Sequence, residues 1–316
     1  MTARHAGPAV EVRNLSKRFG NAQALDDVSC EIAAGELFGF IGPDGAGKTT
    51  LLRTLVTLLV PDRGHARVLG LDVVDDLWAL RKTVGYMPGR FSLYPDLSAL
   101  ENLRFFASVF GTTVEKGRAT IDPIWRQLEP FADRRAAALS GGMKQKLALS
   151  CALVHAPPIL ILDEPTTGVD AVSRREFWDL LTRLRSEGLT IVVSTPYMDE
   201  ANRCDRVAFM QRGRLLLTDT PAAIVARYPR PLFAVRSPDR LALLRVLRDF
   251  PFAASAWPFG ESVHYTDERT DVTPEDITRS LLAHATAAGL SGVSAEPITA
   301  GIEDAFMWHL ARAEAA

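Results

Sequence analysis

Residues Ala9–Leu15 (AVEVRNL) alternate apolar and polar side chains, the period of a half-buried strand. Ser29–Ala33 gives another strand, ended by the turn Ala34-Gly35, and Leu37–Ile41 (LFGFI) is a short apolar run of buried-strand type. A glycine-rich turn follows, and then the period changes. Leu51, Leu52, Leu55, Val56 and Leu59 share one side of a helix predicted over Lys48–Leu59, which Pro61-Asp62-Arg63-Gly64 stops. A mostly helical, more polar stretch is expected from about Asp75 to Leu139, and a helix from about Met143 to His155 ends at Pro157-Pro158. Ile159–Leu162 and Thr190–Ser194 are two more buried-type strands, with a helix over about Ser173–Ser186 between them. Strands alternating with helices predict an α/β fold with a parallel sheet and helices on both faces.

The texture changes at Tyr228-Pro229-Arg230-Pro231, which reads as a linker. Beyond it come a strand at Leu232–Arg236, a helix at Leu241–Asp249 and two short strand candidates. A helix over about Pro274–Ala288 and a last strand near Val293–Ile298 complete the series. The order β-α-β-β-α-β fits a small ferredoxin-like α+β module over 229–316, following a main domain over 9–228.

Composition narrows the classes. A chain of 316 residues fits about two domains. With 47% hydrophobic and 23% charged residues, collagen, low-complexity and wholly disordered readings are out. The net charge of −2 argues against a strongly basic nucleic-acid binder. Cys30, Cys151 and Cys204 form no CxxC pair and read as small buried hydrophobes in a reducing compartment. The longest stretch free of Asp, Glu, Lys and Arg, Leu147–Leu162, is too short and too proline-broken to span a bilayer. The N-terminus has no apolar segment of signal-peptide type, so no secretory signal is expected. A role at a membrane therefore requires another chain to supply the span. His264 and Tyr265 stand isolated and read as surface or core filler.

The chemistry is concentrated in two places. Gly42-Pro43-Asp44-Gly45-Ala46-Gly47-Lys48-Thr49 fits G-x-x-x-x-G-K-[ST], with a strand before it and a helix after it. Glycines let the backbone fold tightly and aim N–H groups at phosphate oxygens, and the helix adds the positive end of its dipole. Lys48 supplies a point charge for the β- and γ-phosphates of ATP, the Thr49 hydroxyl can ligate Mg²⁺, and Thr50, next in the helix, is counted with the ATP-binding residues. A chance match in a chain of average composition is on the order of one in a hundred. The second place is the acidic strand end, where Ile159–Leu162 runs into Asp163-Glu164-Pro165. Asp163 fits a Mg²⁺ holder and Glu164 a general base or water-orienting group. Alone, such a pair is more often a solvated turn; after a P-loop at this distance the reading reverses.

Leu139-Ser140-Gly141-Gly142-Met143-Lys144-Gln145 (LSGGMKQ) resembles the signature motif of ABC ATPases, and its place shortly before the acidic strand matches. The resemblance runs from about Val10 to Tyr228 and implies a P-loop NTPase of ABC type, with a helical subdomain over about 75–139. It implies that Ser140, Gly141 and Gly142 cap ATP held by a partner's P-loop across a head-to-tail dimer. Phe19 matches the aromatic residue that stacks on adenine, and Asp170 in Gly168-Val169-Asp170 matches the D-loop that touches the partner subunit. Tyr86–Asn102 resembles the segment that meets the membrane subunit. The pattern is most similar to ATP-binding subunits of type-2 ABC exporters, including multidrug pumps. That likeness implies an ABC-2-type permease and a second ATPase subunit, or a second copy of this chain, as partners, with no nucleic acid. It also implies a peripheral location at the cytoplasmic face of a bacterial inner membrane.

Two positions depart from the pattern. Gly89 stands where the family usually has a Gln that touches Mg²⁺ and the attacking water, and Pro196 stands where it usually has a His on the γ-phosphate. Glycine has no side chain for the task, and proline lacks even an N–H. Ser194, Thr195 and Tyr197 are the neighbouring residues that could partly replace the lost donor. The departures resemble those in the first half of fused tandem ABC ATPases. They imply an asymmetric pair in which this chain mainly binds ATP and completes a faster site on a second ATPase. Two other readings stand beside it: a non-hydrolysing regulatory ABC ATPase, and a soluble ABC protein acting on nucleic acid or ribosomes.

Overall fold

The computed structural model describes residues 7–89 and 93–315. The chain divides into two compact units, the first ending at Pro221 and the second starting at Ala222.

In the first unit, β1 (Val10–Phe19) and β2 (Ala22–Ile32) form an antiparallel hairpin, and β3 (Leu37–Ile41) leads through the glycine-rich turn into α1 (Lys48–Leu55). Next come β4 (Arg63–Val68), β5 (Leu71–Asp72), α2 (Leu77–Thr83) and β6 (Val84–Met87). Helices α3 (Ala99–Val109) and α4 (Val114–Leu128) precede α5 (Gly141–Leu153), β7 (Ile159–Asp163), α6 (Ala171–Ser186) and β8 (Thr190–Thr195). The unit closes with α7 (Met198–Ala201), β9 (Arg206–Gln211) and β10 (Arg214–Asp219), and α8 (Pro221–Ala226) spans the boundary.

Two sheets result. One is antiparallel, in the order β2-β1-β4-β5; the other runs β10-β9-β3-β8-β7-β6 and is parallel except for its edge strand β10. Strands β3, β7 and β8 are buried at every position, which is why they read as unbroken apolar runs: helices cover both faces of a parallel sheet. Phe38, Phe40, Ile161 and Val192 share one core with Leu51, Leu52 and Leu55 of α1. Burying each such side chain is worth about 1.5–3 kcal/mol, so the strand ends that carry the site are held by the best-packed part of the unit.

Helix α1 stops at Leu55, short of the expected Leu59. Thr57 takes a left-handed conformation (φ 65), and Arg81 captures both its hydroxyl (2.8 Å) and its carbonyl (2.9 Å). The stretch from about 75 to 139 contains β6 as well as helices. Gly85 explains that strand: a Cβ there would sit 2.7 Å from the carbonyl of Ala152, so the residue lets β6 pass close to α5. No helix among the described residues is long and apolar enough to cross a membrane.

The second unit contains β11 (Leu232–Arg236), α9 (Arg240–Arg248), β12 (Ala253–Phe259), β13 (Ser262–Asp267), α10 (Pro274–Ala287), β14 (Ser294–Ile298) and α11 (Ile302–Ala315). Its sheet is antiparallel in the order β12-β13-β11-β14, and Phe233, Val235, Leu243, Leu247, Tyr265 and Leu281 form a core of its own. Tyr228, at the expected linker, belongs with this unit: its hydroxyl lies 2.7 Å from that of Thr266 and its ring packs edge-on against Trp308. Tyr265 is core. His264 is paired, its Nδ1 2.6 Å from Asp304 Oδ1 and its ring stacked on Phe259 at 4.1 Å.

Candidate functional site

The loop Gly42–Gly47 carries the chain from the buried end of β3 into α1. Its glycines are required by space and by backbone. A Cβ at Gly42 would lie 2.1 Å from the carbonyl oxygen of Met210, and one at Gly47 would lie 2.5 Å from that of Ala24. Gly45 (φ 78) and Gly47 (φ 104) occupy the left-handed region. Gly47 is the N-cap of α1 and supplies no side-chain cap, so the first amides of α1 keep their capacity to bind an anion. Asp44, Gly45, Ala46, Gly47, Lys48, Thr49 and Thr50 line a cleft of about 160 Å³, closed by Ala24 and Glu164.

Lys48 is buried, and its Nζ donates to the carbonyls of Gly42 (2.8 Å) and Pro43 (3.0 Å) and sits 3.4 Å from Glu164 Oε1. The Thr49 hydroxyl donates to Asp163 Oδ1 at 2.9 Å, across 114 residues of sequence. Ser194, at the end of β8, makes a second bond to the same oxygen at 2.7 Å and accepts from the Glu164 amide at 3.0 Å. Glu164 itself has φ 48, a strained conformation for a non-glycine residue. The two motifs, remote in sequence, thus meet as one cluster: an ammonium, two hydroxyls and two carboxylates at the mouth of a phosphate-sized cleft.

That donor set fits a hard divalent cation. Thr49 and Asp163 offer oxygen ligands, which suits Mg²⁺, an ion that keeps waters and takes phosphate oxygens rather than an all-protein cage. Among the described residues no group of three or more His, Cys, Asp or Glu could hold a metal without such help.

The two departures also lie here. Gly89 reaches the acidic strand end so closely that a Cβ would sit 2.9 Å from the Asp163 carbonyl and 3.7 Å from Glu164 Cβ. Pro196 directly follows β8. Of the donors that could stand in for a histidine, Ser194 is committed to Asp163, and the Thr195 hydroxyl donates to the buried Glu200 at 2.5 Å. Tyr197 lies under Arg174, whose Cζ is 5.0 Å from the ring centroid.

Other expected residues lie outside the cleft. Phe19 ends β1 at the hairpin turn, half exposed, with Lys17 Nζ 5.7 Å from its ring centre; the chain reaches the cleft a few residues later, at Ala24. Ser140 caps α5, its hydroxyl accepting from the Met143 amide at 3.3 Å, which leaves its proton to donate elsewhere. Ser140 and Gly141 are exposed, whereas Gly142 is buried against Ser173, whose hydroxyl would meet a Cβ at 2.5 Å. Asp170 caps α6 by accepting from the amides of Val172 and Ser173 at 3.1 and 3.0 Å; bonds from Ser173 hold its carboxyl below the usual carboxylate range. None of Phe19, Ser140, Gly141, Gly142 and Asp170 lines the P-loop cleft.

Residues 25–167 match the family described as "ABC transporter". The chain is 35% identical over 303 residues to "Nod factor export ATP-binding protein I" of Burkholderia pseudomallei (strain 1710b), covering 94% of this chain and 95% of that one. The chain belongs to the ABC transporter ATP-binding family. It is also 40% identical over 305 residues to "Probable multidrug ABC transporter ATP-binding protein YbhF" of Escherichia coli (strain K12); the match covers 94% of this chain but spans only about half (51%) of that relative. Among solved structures, an ATP-binding subunit of an ABC transporter superposes with a TM-score of 0.63 at 29% identity, covering 70% of this chain and 93% of that one. A dimeric ATP-binding cassette in a post-hydrolysis state, bound to ADP and Pi, gives 0.60 at 28% identity over 67% of this chain and 98% of its own. The first unit is thus an ABC cassette, a P-loop fold of mixed helices and sheets.

Glu200 and Thr166 were not assigned site roles from the motifs, and Ser194 was considered only as a stand-in for the missing histidine, not as a partner of Asp163. A serine next to the end of the buried strand TIVVST, after the apolar run Ile191–Val193, is the signal in the sequence that marks Ser194.

Proposed function

We propose that this chain is the ATP-binding subunit of an ABC-type exporter. It holds Mg-ATP between its own P-loop and a facing subunit's signature serine and glycines, and it drives a permease of ABC-2 type. The observation that carries this reading is the meeting of Lys48, Thr49, Asp163 and Glu164 at one cleft beneath the open N-terminus of α1. Support for export comes from the names of the relatives, a multidrug transporter protein and Nod factor export proteins. At such a site the P-loop amides and Lys48 bind and orient the phosphates, and Thr49 and Asp163 would hold Mg²⁺. When bound, the metal would supply neutralisation of the charge on the phosphoryl oxygens. Glu164 orients the attacking water and accepts its proton. Phe19 stacks on adenine, Asp170 faces the partner cassette, and this chain docks peripherally on the permease at the cytoplasmic face of a bacterial inner membrane.

The pair is asymmetric in this reading. Gly89 and Pro196 supply no contact to the water or the γ-phosphate, and the hydroxyls of Ser194 and Thr195 are committed elsewhere. One missing transition-state contact lowers the rate by about 10²–10³-fold. The chain's own site therefore mainly binds ATP, while Ser140, Gly141 and Gly142 complete a faster site on a second ATPase. The same departures keep a non-hydrolysing regulatory role as the second reading.

Calorimetric titration with Mg-ATP is expected to give saturable binding that Lys48→Ala weakens by about 10–100-fold, the worth of a bond to a charged group. Absence of binding overturns the proposal. Rapid turnover by the purified chain alone, abolished in Glu164→Gln, would remove the asymmetric part and leave the rest standing.

A further inference from the structure

Glu200 is the most buried acidic side chain near the site that the chemistry above does not use; it is 3% exposed. Each of its oxygens accepts one hydroxyl hydrogen, Oε1 from Thr166 at 2.7 Å and Oε2 from Thr195 at 2.5 Å. Both threonines are themselves buried. Arg174 Nε approaches Oε1 at 3.9 Å, with its guanidinium bridging to Asp199 at 3.2 Å.

Each threonine is fixed at its other end. The Thr195 carbonyl accepts from the amide of Gly42, the first P-loop glycine, at 3.3 Å, and its hydroxyl also accepts from the Tyr197 amide at 3.0 Å. The Thr166 carbonyl accepts from the Val169 amide at 3.2 Å, one residue before Asp170 caps α6. A continuous run of bonds therefore leads from the start of the phosphate loop, through the end of β8, to the loop that opens α6. Glu200 is its only link made by a side chain with two acceptor oxygens. In the low-dielectric interior such bonds are strong, and an oxygen left without its donor is costly, so the arrangement has few alternatives.

We propose that Glu200 is a positioning residue that ties the P-loop strand end to the 166–170 loop, so that occupancy of the phosphate loop sets the order of that loop. Pro196 fits this design. It directly follows Thr195 and offers no N–H to a nucleotide, so the bonded path from the P-loop runs through Thr195. The inference rests on the nucleotide-binding reading above, and its physical warrant is this bonded network rather than proximity.

Hydrogen exchange of the full chain, with and without Mg-ATP, tests it. In the wild-type chain ATP is expected to slow exchange at residues 42–49 and, by about tenfold, at 167–172. Thr166→Val removes one hydroxyl at nearly constant volume. It is expected to keep the slowing at 42–49 and lose it at 167–172, and Thr166→Ser is expected to restore it. Glu200→Ala should behave as Thr166→Val wherever it folds. Rescue by serine separates coupling from loosened packing. The inference is overturned if 167–172 responds to ATP in Thr166→Val as in the wild type, or if the wild type shows slowing at 42–49 alone. Absence of any slowing at 42–49 in the wild type overturns the nucleotide-binding reading, and this inference with it.

Discussion

Glu164 and Gly89 face each other across less than a side chain's width. Glu164 holds a left-handed backbone (φ 48), and the space that would take a Cβ at Gly89 is bounded by the Asp163 carbonyl at 2.9 Å. Restoring the family's usual glutamine is therefore not a local repair. Gly89→Gln forces the loop or the end of β7 to move, at a cost of about 1–3 kcal/mol, the range for overpacking. Denaturant unfolding reads that cost, and a steady-state ATPase assay is expected to show no gain from this substitution alone. A tenfold gain would mean that the loop relaxes freely.

His155 gives the residue scale a pH dependence. Its ring stacks on Phe110 at 3.7 Å between centroids, and burial pushes its pKa down to about 4, opposed only by the Val84 backbone. The unfolded chain titrates this group near 6.5, so between about pH 6.5 and 4 the unfolded state binds more protons and stability falls as pH falls. The ring is only partly buried, and solvent screening reduces the loss to about 1–2 kcal/mol. His155→Leu should flatten that part of a stability–pH curve measured by urea unfolding; an unchanged slope would assign the acid sensitivity to other groups.

At the scale of elements, what was legible followed from burial on both faces. The runs LFGFI, ILIL and TIVVS announce β3, β7 and β8 because no position in them meets water. Strands with one wet face were harder. In β4 (RGHARV) only Ala66 and Val68 are buried, and its identity comes from pairing with β1. β10 is an edge strand with no buried position, and β9 is ended by Arg206 and Gln211. Helix α11 lies beyond the last element expected from the sequence; Asp304 in its first turn accepts locally from the Gly301 amide at 2.8 Å and pairs with His264 at 2.6 Å, a tertiary partnership that spacing does not reveal. For the site, the P-loop and the acidic strand end were legible because their chemistry is local in sequence. The roles of Ser194 and Glu200 depend on which strand ends the sheet order puts side by side. Helix α3 was expected only as part of a helical stretch, yet its start is specific: Ser98 and Glu101 form a reciprocal capping box at 3.2 and 2.7 Å. Ser98→Ala is expected to cost about 1 kcal/mol, read as an earlier denaturant midpoint with an unchanged slope. Loss of less than about 0.3 kcal/mol would show that the buried Asn102, which bonds Tyr94, Leu97 and Ser98, fixes this turn unaided.

At the scale of the whole molecule, the decisive fact is that each unit closes its own core. Every residue lining the P-loop cleft lies before Pro221, whereas Phe233, fully buried beside Tyr265 at 6.4 Å, belongs to a core built wholly after Ala222. A ligand that binds only the folded first unit stabilises that unit alone, by about 2.7 kcal/mol at a hundred times its dissociation constant. Differential scanning calorimetry should therefore resolve two transitions, of which Mg-ATP raises one. Phe233→Ala should lower the other, since emptying a buried aromatic site costs about 3–5 kcal/mol, and should leave the ATP-sensitive transition in place. A single transition that both perturbations move would mean that the units unfold as one body. In that case a cavity in the second unit would weaken nucleotide binding in the first.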